Sequence, residues 1–132
     1  MPYPSFLAVF LGAGIGACLR WWFSILWNPI FPRLPLGTLA ANLVGGYLVG
    51  VAVAYFAHNT ALPPEARLLV ITGFLGGLTT FSTFSAEVIT LLSRGQYAWA
   101  VTVMGVHLGG SLFLTVLGML TIRVFLKGIS SY

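Results

Sequence analysis

Of the 132 residues, 58% are hydrophobic and only 6% are charged, with six Lys and Arg against two Asp and Glu and a net charge of +4. A soluble domain carries roughly a quarter of its residues as charges, and these few cannot cover a 14.2 kDa globule with a mean hydropathy of +0.99. Lipid is the solvent that suits such a surface. The positive charges are scattered singly, which excludes a nucleic-acid patch and the cluster of about 4–8 Lys/Arg that an anionic-lipid switch needs. Cys18, the single cysteine, has no partner for an internal disulfide or a thiolate metal site.

The length is that of one domain, read here as a single four-helix transmembrane domain over residues 1–132. Charges and prolines divide it into four spans, about 4–27, 36–57, 67–93 and 97–123, each near the ~20 residues that cross a bilayer as a helix. The first starts without Lys or Arg and runs on from Phe6, so it reads as a span and not as a cleavable signal. Trp21, Trp22 and Trp27 follow Arg20 as an interfacial aromatic belt. The connector Asn28–Pro35 holds three prolines and cannot continue the helix.

The second span carries no charge. His58–Pro64 is a turn, and Pro63-Pro64-Glu65 is a good helix start, with proline tolerated in the first turn and an acid favoured there. The third span contains Glu87 and a centre rich in glycine and hydroxyl residues. Arg94-Gly95-Gln96 closes a very short connection, and the fourth span is long enough to tilt or protrude. Four spans place both ends on one side.

Arg20, Arg33 and Arg94 then face one side, and Arg67, Arg123 and Lys127 the other. That balance gives the positive-inside rule nothing to act on. It is a chance outcome in a short chain, or it marks dual topology, with the chain inserting both ways and pairing antiparallel. Each span also holds one small-xxx-small pair: Gly12/Gly16, Gly46/Gly50, Gly73/Gly77 and Gly105/Gly109. Such pairs let helices approach closely in lipid. Four helices enclose little space, so a path across the membrane calls for a second copy.

The sequence has no nucleophile–base pair, HExxH spacing or P-loop, so neither an enzyme nor an ATP-driven pump is expected. What remains is polarity inside apolar helices, which is by default functional. The densest stretch is Gly73-Phe-Leu-Gly-Gly-Leu-Thr-Thr-Phe-Ser-Thr-Phe-Ser85. Its glycines and hydroxyls weaken a helix at mid-membrane, where irregular backbone is tolerated only in protein or facing a cavity. Phe81 and Phe84, three apart, share a face. They are packing aromatics, or their electropositive edges line an anion path. Asn42, in Gly37-Thr-Leu-Ala-Ala-Asn-Leu-Val-Gly-Gly46, is an interhelical hydrogen bond or a pore amide. Glu87 must be hydrated, protonated or held by donors, and His107, with Ser111 one turn on, is its expected neighbour. Arg20 is an interfacial arginine or draws anions into a vestibule.

On these residues the chain resembles the small bacterial fluoride channels called Fluc or CrcB. The shared features are Gly14-Ile-Gly16 through Arg20, GTLAANLVGG in the second span, and GFLGGLTTFSTFS in the third. The resemblance spans essentially the whole chain. It implies an all-α integral protein of the bacterial inner membrane with a broken third helix, forming an antiparallel, dual-topology homodimer. Two passive, fluoride-selective pores would lower cytoplasmic fluoride. It also implies a structural Na⁺, not transported, held by main-chain carbonyls of Gly76 and Thr79. Carried over by position, Phe81 and Phe84 are the anion-facing rings and Asn42 is the pore amide. Ser82, Thr83, Glu87 and Ser111 belong to a polar track, which His107 joins as a departure from small hydroxyl residues. The rivals are a proton-coupled exporter like the small multidrug-resistance transporters, with Glu87 as its engine, and a non-transporting membrane subunit.

Overall fold

A computed structural model describes residues 2–131 and is helical throughout, apart from short turns. Among the described residues, four helical stretches are long and apolar enough to cross a membrane: Tyr3–Ile30, Leu36–His58, Pro64–Ser93 and Tyr97–Ser130. The first is helix α1 (Tyr3–Trp27), followed by a 3-10 turn at Asn28–Ile30 where Pro29 lies. Helix α2 covers Leu36–His58, entered directly after Pro35.

The third stretch is composite. It begins with α3 (Pro64–Arg67), three residues before the expected start at 67. Pro64 occupies the first helical position, where a missing N–H costs nothing, and Glu65 sits at the positive end of the helix. A π-helical segment, Leu68–Leu75, follows, which the apolar pattern did not announce. Then come α4 (Gly76–Leu78), an extended Thr79 (φ −79°, ψ 151°), and α5 (Ser82–Ser93).

Gly95, at φ +73°, ends α5. Its N–H reaches Leu92 O while the Gln96 N–H reaches Leu91 O, the paired bonds of a Schellman turn. That turn explains how Arg94-Gly95-Gln96 suffices as a connection. Helix α6 (Tyr97–Ser130) has 34 residues and overruns the expected end at 123. No proline follows Arg123, and Lys127 in the last turn suits the negative helix end. At 1.5 Å per residue it is roughly 51 Å long, against about 30 Å of hydrocarbon.

Glycines set the packing. The pairs Gly12/Gly16 of α1 and Gly73/Gly77 of the third stretch mesh with each other: a Cβ on Gly16 would overlap the Phe74 carbonyl, and one on Gly77 the Ala13 carbonyl. Gly46 and Gly50 of α2 lie against Ser111 and Thr115 of α6, and Thr115 Oγ1 donates to the Gly46 carbonyl at 2.9 Å. Gly105 and Gly109 differ, since a Cβ at either would meet nothing within 4 Å. The face of α6 used in packing within the chain is the one carrying Ser111, Thr115 and Gly118.

Two apolar cores result. Ala41, Ala52, Leu75 and Leu78 join α2 to the first half of the third stretch; Val88, Leu91, Ala100 and Val103 join α5 to α6. The two halves of the third stretch therefore pack on different neighbours. The non-helical residues between them lie where α2 and α6 also meet.

Candidate functional site

Thr80 lies between α4 and α5, is 9% exposed, and organises the site. In an unbroken α-helix its N–H would reach the carbonyl of Gly76. Here it donates to Asn42 Oδ1 at 2.7 Å, and the Thr80 carbonyl accepts from Asn42 Nδ2 at 3.0 Å. The carboxamide of α2 thus pairs with both backbone groups of one residue. Such groups are strongly disfavoured unpaired in a membrane interior. Thr80 Oγ1 accepts the Thr83 N–H at 3.1 Å and lies 3.5 Å from Ser82 Oγ. Two carbonyls lose their usual helical donors by these diversions: Gly76, because Thr80 N–H goes to Asn42, and Thr79, because Thr83 N–H goes to Thr80 Oγ1. Arg20, half-buried on α1, donates from Nε to the Gly77 carbonyl at 3.1 Å, so its positive charge stands at this same run of carbonyls.

Asn42 has a third contact. Its Nδ2 stands 2.9 Å from Nδ1 of His107, a residue of α6 that is 4% exposed. Pairing with Thr80 fixes which end of the amide is nitrogen, because the reversed amide would set oxygen against the Thr80 carbonyl. Nδ2 can only donate, so His107 Nδ1 is the acceptor and the neutral ring carries its proton on Nε2. That Nε2 is buried and has no partner among the described residues. The Phe84 ring lies 4.8 Å from the imidazole, and Phe81, 79% exposed, lies 5.7 Å from Phe84 with the rings tilted by 59°.

A cavity of about 270 Å³ opens among Asn42, Thr80, Phe81, Phe84, His107 and Ser111. It is bounded by ring carbons, the aliphatic side chains of Leu108 and Leu112, hydroxyls, an amide and an uncharged imidazole, with no formal charge on its walls. Ser111 Oγ points to the Asn42 carbonyl at 3.4 Å. An anion can enter such a space without meeting a carboxylate or a trapping cation.

The pattern of family members described as "CrcB-like protein, Camphor Resistance (CrcB)" matches residues 7–119. The chain belongs to the CrcB family. It is 66% identical over 116 residues to a protein of Nitrosospira multiformis named fluoride-specific ion channel FluC, covering 88% of this chain and 91% of that one. A protein of the same name from Cupriavidus metallidurans is 62% identical over 119 residues, covering 90% and 94%. One from Burkholderia lata is 57% identical over 122 residues, covering 92% and 95%.

Within this CrcB protein the residues singled out from sequence fall into three groups. Asn42, Phe81, Phe84, His107 and Ser111 surround the cavity, with Thr79 also on its wall. Ser82 and Thr83 contact it only through Thr80, and Gly76 and Arg20 lie at the carbonyl run beside it. Glu87 stands apart. His107, expected as its neighbour, pairs with Asn42 instead; Thr38 Oγ1 donates to Glu87 Oε1 at 2.7 Å, and Thr38 in turn receives Asn28 Nδ2 at 3.3 Å. The cause is the α2 register: Thr38 and Asn42 are four apart on one face, so each takes one of the two polar residues. Thr80, Thr38 and Asn28 were missed. The i, i+4 spacing of Thr38 and Asn42 was the available signal for the first turn of α2, and nothing in the hydroxyl run distinguished Thr80 from its neighbours.

Proposed function

We propose that this CrcB protein is a passive, fluoride-selective channel of the bacterial inner membrane that lets cytoplasmic fluoride escape. What carries the reading is identity of 57–66% across nearly full length to relatives named fluoride-specific ion channels. The uncharged, ring-edged cavity supports it, since aromatic edges attract an anion weakly enough to let it leave. Hydrogen fluoride enters cells as a neutral acid and is trapped as the anion, so a passive exit driven by membrane potential suffices. Glu87, the engine of the proton-coupled exporter reading, is tied to Thr38 and does not line the cavity, so nothing favours that alternative.

The functional unit is an antiparallel, dual-topology homodimer. Gly105 and Gly109 face nothing within the protomer and leave a smooth strip on α6 for a second copy. The non-helical Thr79–Phe81 segment is the break of the third helix. The Gly76 and Thr79 carbonyls, freed from helical donors, are neutral oxygens of the kind an alkali cation takes. They would hold the structural Na⁺, which fixes the two subunits and places a positive centre between the anion paths. Purified protein in liposomes tests the reading: fluoride should leave without a proton gradient while chloride stays. Retained fluoride would refute the channel. Full flux after exhaustive replacement of Na⁺ by a large organic cation would refute the cation's role.

A further inference from the structure

Asn42 is expected to offer an amide donor to the anion, yet both of its N–H groups are already engaged. One is held by the Thr80 carbonyl at 3.0 Å and the other by His107 Nδ1 at 2.9 Å. The first bond is part of a bidentate pair with the Thr80 backbone, and losing it would undo the chain path between α4 and α5. The second joins two side chains. It is the one bond whose acceptor can turn away without moving backbone, because the imidazole hangs from α6 on two rotatable torsions. Both Asn42 and His107 line the cavity, beside the Phe84 ring.

We propose that His107 Nδ1 is a resident surrogate for the permeating anion, and that fluoride binds by displacing it from Asn42 Nδ2. His107 is thus a positioning and specificity residue acting through Asn42. The inference rests on the fluoride-channel reading of the same cavity. The chemistry of the exchange favours a small anion. The incoming group must take over a donor held at hydrogen-bond distance from nitrogen, between an imidazole and a phenyl ring, and it must be the better acceptor. Fluoride is both compact and a strong acceptor. A larger halide is a weaker acceptor and must push the imidazole further. When the anion moves on, the imidazole returns, so the amide is never left without an acceptor in an apolar surrounding.

Two measurements decide it. In a His58→Gln background His107 is the one histidine left of two, and His58 lies at the exposed end of α2. Protein labelled with ¹⁵N-histidine in liposomes should show the signature of an Nδ1 accepting a hydrogen bond without fluoride. Saturating fluoride should shift that resonance, and chloride should leave it in place. The flux readout is independent. His107→Phe removes the competing acceptor, so fluoride at half-maximal flux should fall by roughly two- to tenfold, the equivalent of one net hydrogen bond. His107→Gln, which restores an acceptor, should return the half-saturating value towards wild type. An unmoved Nδ1 resonance in liposomes that pass fluoride would overturn the inference and leave the channel standing, as would an unchanged or raised half-saturating value in His107→Phe. Liposomes of the wild-type chain that pass no fluoride would remove both.

Discussion

Replacing Asn42 by Leu tests whether the fold depends on one side chain at the joint of the third helix. Leucine is close in size and at home in lipid, so the change deletes hydrogen bonds with little loss of packing. Three partners are stranded: the Thr80 N–H, the Thr80 carbonyl and His107 Nδ1. Two scales compete. Interhelical side-chain hydrogen bonds in membranes average about 0.6 kcal/mol, because the loosened state finds other partners. A buried polar group left without a partner costs about 1–3 kcal/mol.

The second scale should govern. Thr80 is 9% exposed, and its N–H can return to Gly76 only if Thr79 leaves its extended conformation. That movement would carry Phe81 with it. Counting the two backbone groups alone, at about 1–3 kcal/mol each, Asn42→Leu should destabilise the protein by about 2–6 kcal/mol. Asn42→Asp keeps an oxygen for the Thr80 N–H but sets another against the Thr80 carbonyl, and should do no better. Reversible unfolding in mixed micelles, followed by fluorescence of the four tryptophans, measures both. An Asn42→Leu protein within about 0.5 kcal/mol of wild type and still passing fluoride would show that the amide neither holds the joint nor serves the path.

Further outcomes follow from the packing and the pore. Gly16→Ala drives a methyl into the Phe74 carbonyl and should abolish stable protein, whereas Gly14→Ala meets nothing within 4 Å and should be neutral or gain up to about 1 kcal/mol of helix propensity; thermal unfolding in detergent separates them. Phe81→Ile and Phe84→Ile keep apolar bulk but lose the positive ring edge, and each should slow fluoride efflux from liposomes while the gel-filtration volume stays that of wild type. Two or three Lys added at the exposed Arg94-Gly95 turn should fix one insertion orientation, read by reporters at the C-terminal end. Activity should then fall until an oppositely biased copy is supplied, and a single fixed orientation in the unmodified chain would refute dual topology.

Much of this site was legible in sequence because lipid leaves few explanations for polarity. Asn42 and the hydroxyl run from Thr79 to Ser85 had to find partners, and the structure joins them through Thr80. The close-packed pairs Gly12/Gly16 and Gly73/Gly77 were legible for the same reason, since small residues matter where backbones touch. The partner of each polar group was not. Choosing Thr38 over His107 for Glu87 depends on how α2 is rotated, and a helix apolar on nearly all sides gives no pattern from which to read rotation. The π-helical turns at Leu68–Leu75 were hidden too. Apart from Gly73 their residues are good α-helix or strand formers, and the widened geometry lies where Gly12 and Gly16 let α1 come close to the backbone of Leu69 and Phe74. Helix α6 continues past the span end read at Arg123, because a helix needs a breaker, not a charge, to stop.

The diversion of a single proton donor ties the two halves of the proposed mechanism together. Once the Thr80 N–H turns to Asn42, the Gly76 carbonyl loses its helical donor, which is what the proposed cation site requires. On the other side the same amide presents its second N–H to the cavity, where His107 now holds it. Neither feature can be built without the other, because an intact helix through Thr79–Phe81 would consume the Gly76 carbonyl and leave Asn42 no backbone to grip. The helix interruption therefore lets a chain with almost no charge offer both a donor and an acceptor at one segment. Cation binding at the carbonyls and anion passage at the amide are expected to rise and fall together.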